Sequence, residues 1–425
     1  MIAWLLISFF VLLFLGVPIA MSLGLSAMGG ILFLGGGSTV TIAQRMFEGM
    51  NSFALLAIPL YTFAGFTMSK GGISKRLMDF CYSIVGHIYG GLAHVNVLSS
   101  MIFAGISGSA VADTAGVSGM FMPEMIRKGY SKNFTVAVIA ISSTIGIIIP
   151  PSIPMVVIAG ICGISTGKLF LGGIIPGILC GLAQMIVSYF LAKKEGVPKE
   201  PGHFTIGPVL HGLWESWPAL LMPIIIVGTI TMGIVSPTEA GVIAVVYGLF
   251  AGGIIYRELK WEDIKFAFAE TVRTSGRIFI VIGAAKLYTV MLTTAGFDKW
   301  VAKTMLGFST NPTVILIMIL LIFFIVTMFM ESIATLTLFM PILYPIALGV
   351  GIDPIVLSVL ITVVIGIGLV TPPVGMCIYV ACDLMDTTVG EVFPTLVPFI
   401  AATFVCIALM VAFPQLILLP TYLMA

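Results

Sequence analysis

Long stretches without an ionisable acid or base constrain this sequence more than any other feature. Asp, Glu, Lys and Arg are absent from residues 1–44, 80–112, 133–167 and 392–425. Each stretch exceeds the roughly 20 apolar residues that a helix needs to cross a bilayer. Charged residues make up only 9% of the chain, whereas a soluble domain carries about 25%. The sequence therefore predicts an all-α, polytopic protein surrounded by a lipid bilayer.

Several other classes of protein are disfavoured. The first apolar stretch, Met1–Leu15, lacks the positive region of a signal peptide, so we expect a retained helix. The net charge is +1 and no basic run occurs, which argues against a nucleic-acid partner. The six cysteines show no CxxC spacing and are expected to be buried thiols. A nucleotide-binding GxxxxGK[ST] loop is absent, which argues against an ATP-driven pump.

Basic residues cluster in four segments that the positive-inside rule assigns to the cytoplasm. These are Lys70–Arg76, Arg127–Lys132, Lys193–Lys199 and Arg257–Arg277. The apolar stretch 88–123 lies between the first two, so it must enter and leave the membrane on one side. We interpret it as a re-entrant hairpin. A second hairpin, at 312–347, is expected to open from the opposite side.

The chain also repeats itself. At a spacing of 218, Met122-Pro123 matches Met340-Pro341, and Asp113-Thr114 falls on Glu331-Ser332. At a spacing of 222, Pro150-Pro151 matches Pro372-Pro373, and Pro176 matches Pro398. Because the two hairpins open to opposite sides, the repeats are inverted. Inverted repeats with broken helices are typical of secondary transporters, whose substrate and ion sites lie near the membrane midplane.

Polar residues gather at the interruptions of these helices. The hairpin tips lie near Gly105–Thr114 and Met330–Thr337, and the Pro-Pro pairs break the helices in Ser142–Ser152 and Gly366–Gly375. Proline lacks an N–H, so each pair frees carbonyls in mid-helix. Carbonyls with hydroxyls form a hard-oxygen cation site, while helix N-termini attract an anion.

Three plainer interpretations remain open for these residues. Asp113 could cap the helix that follows it, the Pro-Pro pairs could merely kink helices, and the Gly and Ser residues could serve close packing. Against the first of these, an ionisable residue inside a membrane is a functional candidate by default. Asp113 and Glu331 have no basic neighbour in sequence, which makes a bound cation a natural partner for each.

A second class, the intramembrane serine protease, shares the GxSG pattern found at Gly105–Gly108. Such an enzyme needs a histidine on a facing helix to activate the serine. His87 and His94 precede the motif closely, and no histidine lies in a later apolar span. A passive channel is also conceivable, but two inverted hairpins suit alternating access better.

Taken together, the motifs resemble the large membrane subunit of tripartite ATP-independent periplasmic (TRAP) transporters. The resemblance rests on Gly16–Ala20, Phe53–Leu60, Ser107–Thr114, Ile147–Ser152 and Gly368–Pro373. It implies an elevator-type sodium symporter for an organic anion in the bacterial inner membrane. It also implies two partners, a periplasmic substrate-binding protein and a small four-helix membrane subunit. A stand-alone sodium/carboxylate symporter of related fold is the alternative.

With this resemblance, two sodium sites and one substrate site are expected. The first ion site comprises Ser109, Asp113, Gly146 and Ile149, and the second comprises Glu331, Ser332, Thr335, Gly368 and Val370. The substrate residues are Ser107, Gly108, Ser152 and Thr371. No Arg or Lys lies in either tip or break to clamp a carboxylate, which slightly favours a sialic acid-type sugar acid over a C4-dicarboxylate.

An elevator also requires a fixed scaffold and a moving transport part. We assign 1–75 and 194–277 to the scaffold, and 76–193 and 278–425 to the transport part. The charged stretches Thr39–Asn51 and Trp261–Ser275 are expected to be helices that lie along opposite membrane interfaces. The remaining apolar faces of the scaffold would then accept the small subunit.

Overall fold

The computed structural model describes residues 1–34, 39–197 and 205–424, and every regular element in these ranges is helical. The predicted basic segment 193–199 therefore extends beyond the described residues at its last two positions. Seven of the described helices are long and apolar enough to cross a bilayer, and further apolar helices are shorter. The all-α, multi-pass prediction is confirmed.

The first half of the chain contains one helical hairpin and one broken helix. Its helices are α1 (Ile2–Phe14), α2 (Ile19–Leu34), α3 (Val40–Met50), α4 (Ala57–Lys70), α5 (Ile73–Val85), α6 (Gly91–Ser107), α7 (Ala110–Arg127), α8 (Lys132–Ser143), α9 (Ile153–Cys162) and α10 (Thr166–Lys194). Only two residues separate α6 from α7, so the chain reverses there as predicted. Between α8 and α9 lie a 3-10 turn, Thr144–Ile147, and the first Pro-Pro pair.

The second half repeats this order. Its helices are α11 (Ile206–Thr231), α12 (Pro237–Phe250), α13 (Trp261–Thr294), α14 (Phe297–Phe308), α15 (Pro312–Thr327), α16 (Ser332–Gly349), α17 (Pro354–Gly368), α18 (Met376–Leu384), α19 (Val389–Ala412) and α20 (Gln415–Leu418). Helices α15 and α16 form the second hairpin, with a four-residue tip. Helices α17 and α18 flank the second Pro-Pro pair and form the second broken helix.

One constant spacing relates the two halves. Helices α7 and α16 both have 18 residues, and 222 positions separate their first residues and also their last. The same spacing separates the starts of α8 and α17 and the two Pro-Pro pairs. The repeat predicted from sequence is therefore present, with one register from the second arm of each hairpin through the broken helix. The first arms, α6 and α15, end 220 positions apart, because the second tip is two residues longer.

The spacing of 218 predicted for the hairpins is wrong. Helix α16 contains two prolines, and Pro345 rather than Pro341 is the equivalent of Pro123. In the 222 register Asp113 corresponds to Thr335, not to Glu331. The acidic residues of the two tips thus occupy different helical positions.

The early helices of the two halves pack against each other, as do the late ones. Helix α13 lies on α2, α3 and α4, α12 lies on α4, and α11 lies on α5. Among the late helices, α10 and α8 pack on α19, and α15 packs on α17. Two further contacts join a hairpin of one half to the broken helix of the other: α7 packs on α18, and α9 packs on α16. Each hairpin is therefore held by the broken helix of the other half.

One predicted division falls inside a helix. The sequence suggested an interfacial helix at 261–275 in the scaffold and a transport part that begins at 278. The structure instead joins them in α13, a single helix of 34 residues. No proline interrupts this stretch, and the interior Gly276 is tolerated. In the first half, the break at Asn51 and Ser52 separates α3 from α4, so the helix predicted at 39–51 is found.

Candidate ion and substrate site

Each hairpin tip lies against the Pro-Pro break of its own half. The Gly108 carbonyl accepts a hydrogen bond from the Ile153 N–H (3.3 Å), and the Met328 carbonyl accepts one from the Val374 N–H (3.0 Å). Gly108 has a φ of +65°, a left-handed conformation that favours glycine. A Cβ at Gly108 would also meet the Pro151 carbonyl at 2.7 Å. The first tip therefore requires glycine at this position.

Asp113 is the buried acid of the first tip. Ser109 caps α7, since its hydroxyl accepts a hydrogen bond from the Ala112 N–H (3.4 Å). Asp113 lies one turn later and is only 3% exposed. The Ser107 hydroxyl donates to Asp113 Oδ1, whereas Oδ2 has no protein hydrogen-bond partner among the described residues. A Cβ at Gly146 would collide with this Oδ2, so the oxygen faces the 3-10 turn of the first break.

The hydroxyl of Ser152 is engaged within the first broken helix. It donates to the Ile147 carbonyl (2.5 Å) and accepts from the Met155 N–H (3.3 Å), so that it caps α9. Ser152 is fully buried, while Ile149 before the Pro-Pro pair is partly exposed. In this conformation Ser152 stabilises the break.

Glu331 has a different environment from Asp113. It is itself the cap of α16, where Oε2 accepts from the Ile333 N–H (3.1 Å) and the Ala334 N–H (3.4 Å). Its Oε1 accepts from the Ser332 hydroxyl (3.0 Å). The Thr335 hydroxyl donates to the Glu331 backbone carbonyl (3.1 Å). Both carboxylate oxygens are thus bound by groups of the same helix.

The second break is also packed closely against its hairpin. A Cβ at Gly368 would lie 2.6 Å from the Thr327 Cβ. The Thr371 hydroxyl donates to the Ile367 carbonyl (2.7 Å), and the Gly368 carbonyl accepts from the Thr371 N–H (3.1 Å). Val370 is fully buried. Sequence reasoning missed Thr327, although it supplies the only hydroxyl in the last turn of α15.

Residues of both halves meet beside the first tip. A Cβ at Gly366 of α17 would lie 3.3 Å from the Thr144 Cβ in the first break. The Cys377 thiol, just after the second break, lies next to the Thr114 hydroxyl on α7. The predicted residues of the first ion site are therefore close to the second broken helix as well.

Ser107 has a carboxylate partner, not an imidazole. His94 lies in the first turn of α6, 13 residues before Ser107, a distance of about 20 Å along a helix. A ring nitrogen of His94 lies 3.1 Å from the Tyr89 carbonyl. This arrangement does not provide the serine–histidine pair that a protease requires.

Curated relatives match nearly the whole chain. It is 37% identical to the isethionate TRAP transporter permease protein DctMQ of Oleidesulfovibrio alaskensis over 92% of this chain and 62% of that protein. It is 35% identical to the sialic acid TRAP transporter large permease protein SiaM of Vibrio cholerae, over 96% of this chain and 95% of that one. The C4-dicarboxylate TRAP transporter large permease protein DctM of Pseudomonas aeruginosa is also 35% identical, with 95% and 94% coverage.

A solved structure and a family description complete the comparison. The crystal structure of the Alcanivorax borkumensis YdaH transporter, described as having an unusual topology, aligns with a TM-score of 0.59 at 13% identity. The alignment covers 89% of this chain and 88% of that one, and it shows a shared fold. Residues 6–416 match the family described as the tripartite ATP-independent periplasmic transporter, DctM component. The chain therefore belongs to the DctM family of TRAP transporter large permeases, which are inner-membrane transporters and not enzymes.

Proposed function

We propose that this permease couples inward sodium movement to the uptake of an organic anion. The observation that carries the proposal is the buried Asp113 Oδ2, which no described protein group binds. A carboxylate in the interior of a membrane protein is costly unless a cation compensates its charge. Within the described ranges no ion pair joins Asp113 to a basic side chain. A small cation entering from water would supply the missing charge.

The groups around Asp113 suit sodium. Ser107 and Ser109 would contribute hydroxyls at the tip, and Gly146 and Ile149 would contribute backbone carbonyls from the first break. Hard cations prefer such oxygen ligands. Because Gly146 has no Cβ, space beside Asp113 Oδ2 remains that any other residue would fill.

We place a second sodium at Glu331, Ser332 and Thr335, with the carbonyls of Gly368 and Val370. The oxygen ligands of this second site fit sodium less well than those around Asp113. The reason is that the Glu331 carboxylate already accepts three hydrogen bonds within its own hairpin. We therefore propose that the second ion is the more weakly bound one.

The anion would lie near Ser107, Gly108, Ser152 and Thr371. Helices α7 and α9 both begin beside the Gly108–Ile153 contact, and helix N-termini attract anions. The three relatives are named for isethionate, sialic acid and C4-dicarboxylates, all of which are anions at neutral pH. A sugar acid of the sialic acid type or a C4-dicarboxylate is our proposed substrate class.

Movement of the late helices against the early ones would give alternating access by an elevator. Near the first tip, the transport part, 76–193 and 278–425, touches the scaffold at two glycines. Gly65 of α4 lies against Ser107, since a Cβ there would be 3.3 Å from its Cα, and a Cβ at Gly105 would collide with the Pro223 ring. Smooth contacts of this kind would allow sliding. Helix α13, which contains the assigned boundary at 277/278, packs on α16 as well as on the early helices α2, α3 and α4.

We further propose two partners, a small four-helix membrane subunit and a periplasmic substrate-binding protein. Support comes from the family, whose description is tripartite. The early helices also expose large apolar side chains such as Phe14 and Trp214, each 76% exposed. Lipid or another membrane subunit must cover such residues.

Reconstituted vesicles provide the test. The chain would be co-expressed with its candidate small subunit and supplied with a candidate binding protein and a labelled anion. An inward sodium gradient should drive accumulation of the anion, and choline or potassium at equal ionic strength should not. Accumulation that is equal in all three salts would overturn sodium coupling.

A further inference from the structure

A buried polar network occurs only a few residues from the first ion site. Asn96 and Ser100 of α6 and Ser142 of α8 are all fully buried. The Ser142 hydroxyl donates to Asn96 Oδ1 (2.6 Å), and the Ser100 hydroxyl donates to the Ser142 oxygen (3.1 Å). The first arm of the hairpin is thereby joined to the helix that leads into the first break.

Gln184 of α10 extends the network to the last helix of the half. It is fully buried, and its Nε2 donates to the Ile141 carbonyl (3.3 Å). The Thr144 hydroxyl donates to the same carbonyl (2.7 Å). Ile141 is therefore held both by α10 and by the 3-10 turn that follows. That turn contains Gly146, the residue that faces Asp113.

The second half has no such network at the equivalent positions. Because the second tip is two residues longer, α6 and α15 end 220 positions apart, so Asn96 and Ser100 correspond to Leu316 and Leu320. In the 222 register Ser142 and Gln184 correspond to Val364 and Cys406. All four are buried hydrophobic residues. The same helix packing is therefore achieved there with apolar side chains.

Stability alone does not explain why the first half has polar residues at these positions. Asn96 Nδ2 and Gln184 Oε1 are buried without a protein hydrogen-bond partner in the part of the chain that the structure describes. Unsatisfied buried polar atoms cost free energy, and apolar replacements of similar volume are often neutral or stabilising. The apolar second half shows that this fold accepts such replacements.

We infer that Asn96, Ser142 and Gln184 are positioning residues that fix the turn Thr144–Ile147 and so set the sodium affinity of the first site. Ser142 and Gln184 act on the last turn of α8 from two sides, and Gly146 lies only a few residues beyond. Loss of either hydrogen bond would let the turn and its carbonyls shift away from Asp113. This inference rests on the proposed sodium coupling.

Sodium titrations of the purified full-length chain test the inference. Thermal unfolding would be followed in detergent at increasing sodium, with choline keeping the ionic strength constant. The variants are Gln184→Met, which keeps the side-chain length, and Ser142→Ala. The control is Ser188→Ala, one turn further along α10, whose buried hydroxyl donates only to the carbonyl of Gln184 in its own helix.

We expect both network variants to raise the half-saturating sodium concentration about fivefold to tenfold, the effect of losing one buried hydrogen bond. The control should leave it unchanged. In vesicles, the maximal uptake rate at saturating sodium should stay near the wild-type value, since a merely structural defect would lower that rate instead.

Two outcomes would overturn the inference, and they differ in what else they affect. If sodium stabilises the wild type and the network variants equally, the inference fails and sodium coupling stands. If sodium does not stabilise the wild type at all, sodium coupling fails as well. A variant that unfolds before titration is replaced by Asn96→Ser, which keeps a shorter polar group beside Ser142 and should give a smaller shift in the same direction.

Discussion

The two hairpin tips differ more than their common fold suggests. In the first, a two-residue tip places Asp113 one turn inside α7, with one carboxylate oxygen facing the break. In the second, a four-residue tip places Glu331 at the start of α16, where backbone N–H groups bind it. The equivalent of Asp113 there is the neutral Thr335. An acidic residue near a tip therefore does not have a fixed role.

The same contrast extends to the surrounding helices. The first break is held by the Asn96–Ser142–Gln184 network, and the second by apolar packing and the contact between Gly368 and Thr327. In this chain the two repeats therefore share backbone geometry more closely than side-chain chemistry. We expect one strong, charge-based ion site and one weaker site made mainly of neutral oxygens.

The largest expected effect separates the two acids. Asp113→Asn keeps the shape of the side chain but removes its charge. It should raise the half-saturating sodium concentration by about a hundredfold or abolish uptake, because one partner of a buried charge pair is lost. Glu331→Gln retains an oxygen that can cap α16, so its effect should stay below about tenfold. Sodium-dependent uptake measures both.

Asp353→Asn is the matched control for these variants. Asp353 is an exposed cap of α17 that accepts hydrogen bonds from the Ile355 and Val356 N–H groups. Its replacement should not change sodium dependence. Equal losses for Asp113→Asn and Glu331→Gln would show that the tips are chemically equivalent and that our comparison is wrong.

The second prediction concerns the glycines of the two breaks. Gly146→Ala would put a methyl group against Asp113 Oδ2, and sodium affinity should fall about tenfold or more as the ion space closes. Gly368→Ala would put a methyl against Thr327, and here we expect lower thermal stability, by about 1–3 kcal/mol for an overpacked core. Thermal unfolding measured at increasing sodium concentrations separates the effect on sodium affinity from the effect on stability.

Gly119→Ala provides the control, since its Cβ would enter open space. It should change neither sodium affinity nor stability appreciably. If Gly146→Ala lowered stability without changing sodium affinity, the space beside Asp113 would be a packing feature and not part of an ion site.

Sequence patterns predicted the hairpins, the broken helices and the inverted repeat because these depend on local rules. Proline pairs, glycine-rich tips and charge-free stretches act on the backbone wherever they occur. The spacing between the two repeats was harder to predict, because α16 contains both Pro341 and Pro345. The chance match of Met340-Pro341 to Met122-Pro123 selected Pro341, whereas Pro345 is the true equivalent of Pro123. Asp113 and Glu331 then seemed equivalent, although only the structure shows which acid caps a helix.

The polar network could not be predicted from sequence at all. Asn96, Ser142 and Gln184 are far apart along the chain, and each is a single polar residue in an apolar helix. Small polar residues in such helices usually serve close packing. Their proximity depends on how α6, α8 and α10 pack, which no local pattern specifies.

A third prediction tests the number of ions. Ser109→Ala and Thr335→Ala each remove one hydroxyl from one proposed site, and each should raise the half-saturating sodium concentration about threefold to fivefold. If two ions are coupled, the Hill coefficient of sodium-dependent uptake should exceed one in the wild type and decrease in both variants. A Hill coefficient at or below one that neither variant changes would contradict two sites.

The smallest expected effect concerns the helices that lead into the hairpins. In α5, Arg76 forms an ion pair with Glu258 (2.7 Å), and its guanidinium lies 4.3 Å from the centre of the Tyr256 ring. Both charged side chains are partly exposed, at 26% and 47%, so the pair should contribute only about 0.5–1 kcal/mol. Arg76→Gln should therefore lower the melting temperature by about one to three degrees and leave uptake unchanged.

Lys303→Gln on the equivalent helix α14 is the control, because Lys303 is exposed and has no ion pair among the described residues. If Arg76→Gln instead reduced uptake several-fold at unchanged stability, the ion pair between α5 and the scaffold residue Glu258 would control the movement of the transport part, and the two halves would differ in mechanics as well as in chemistry.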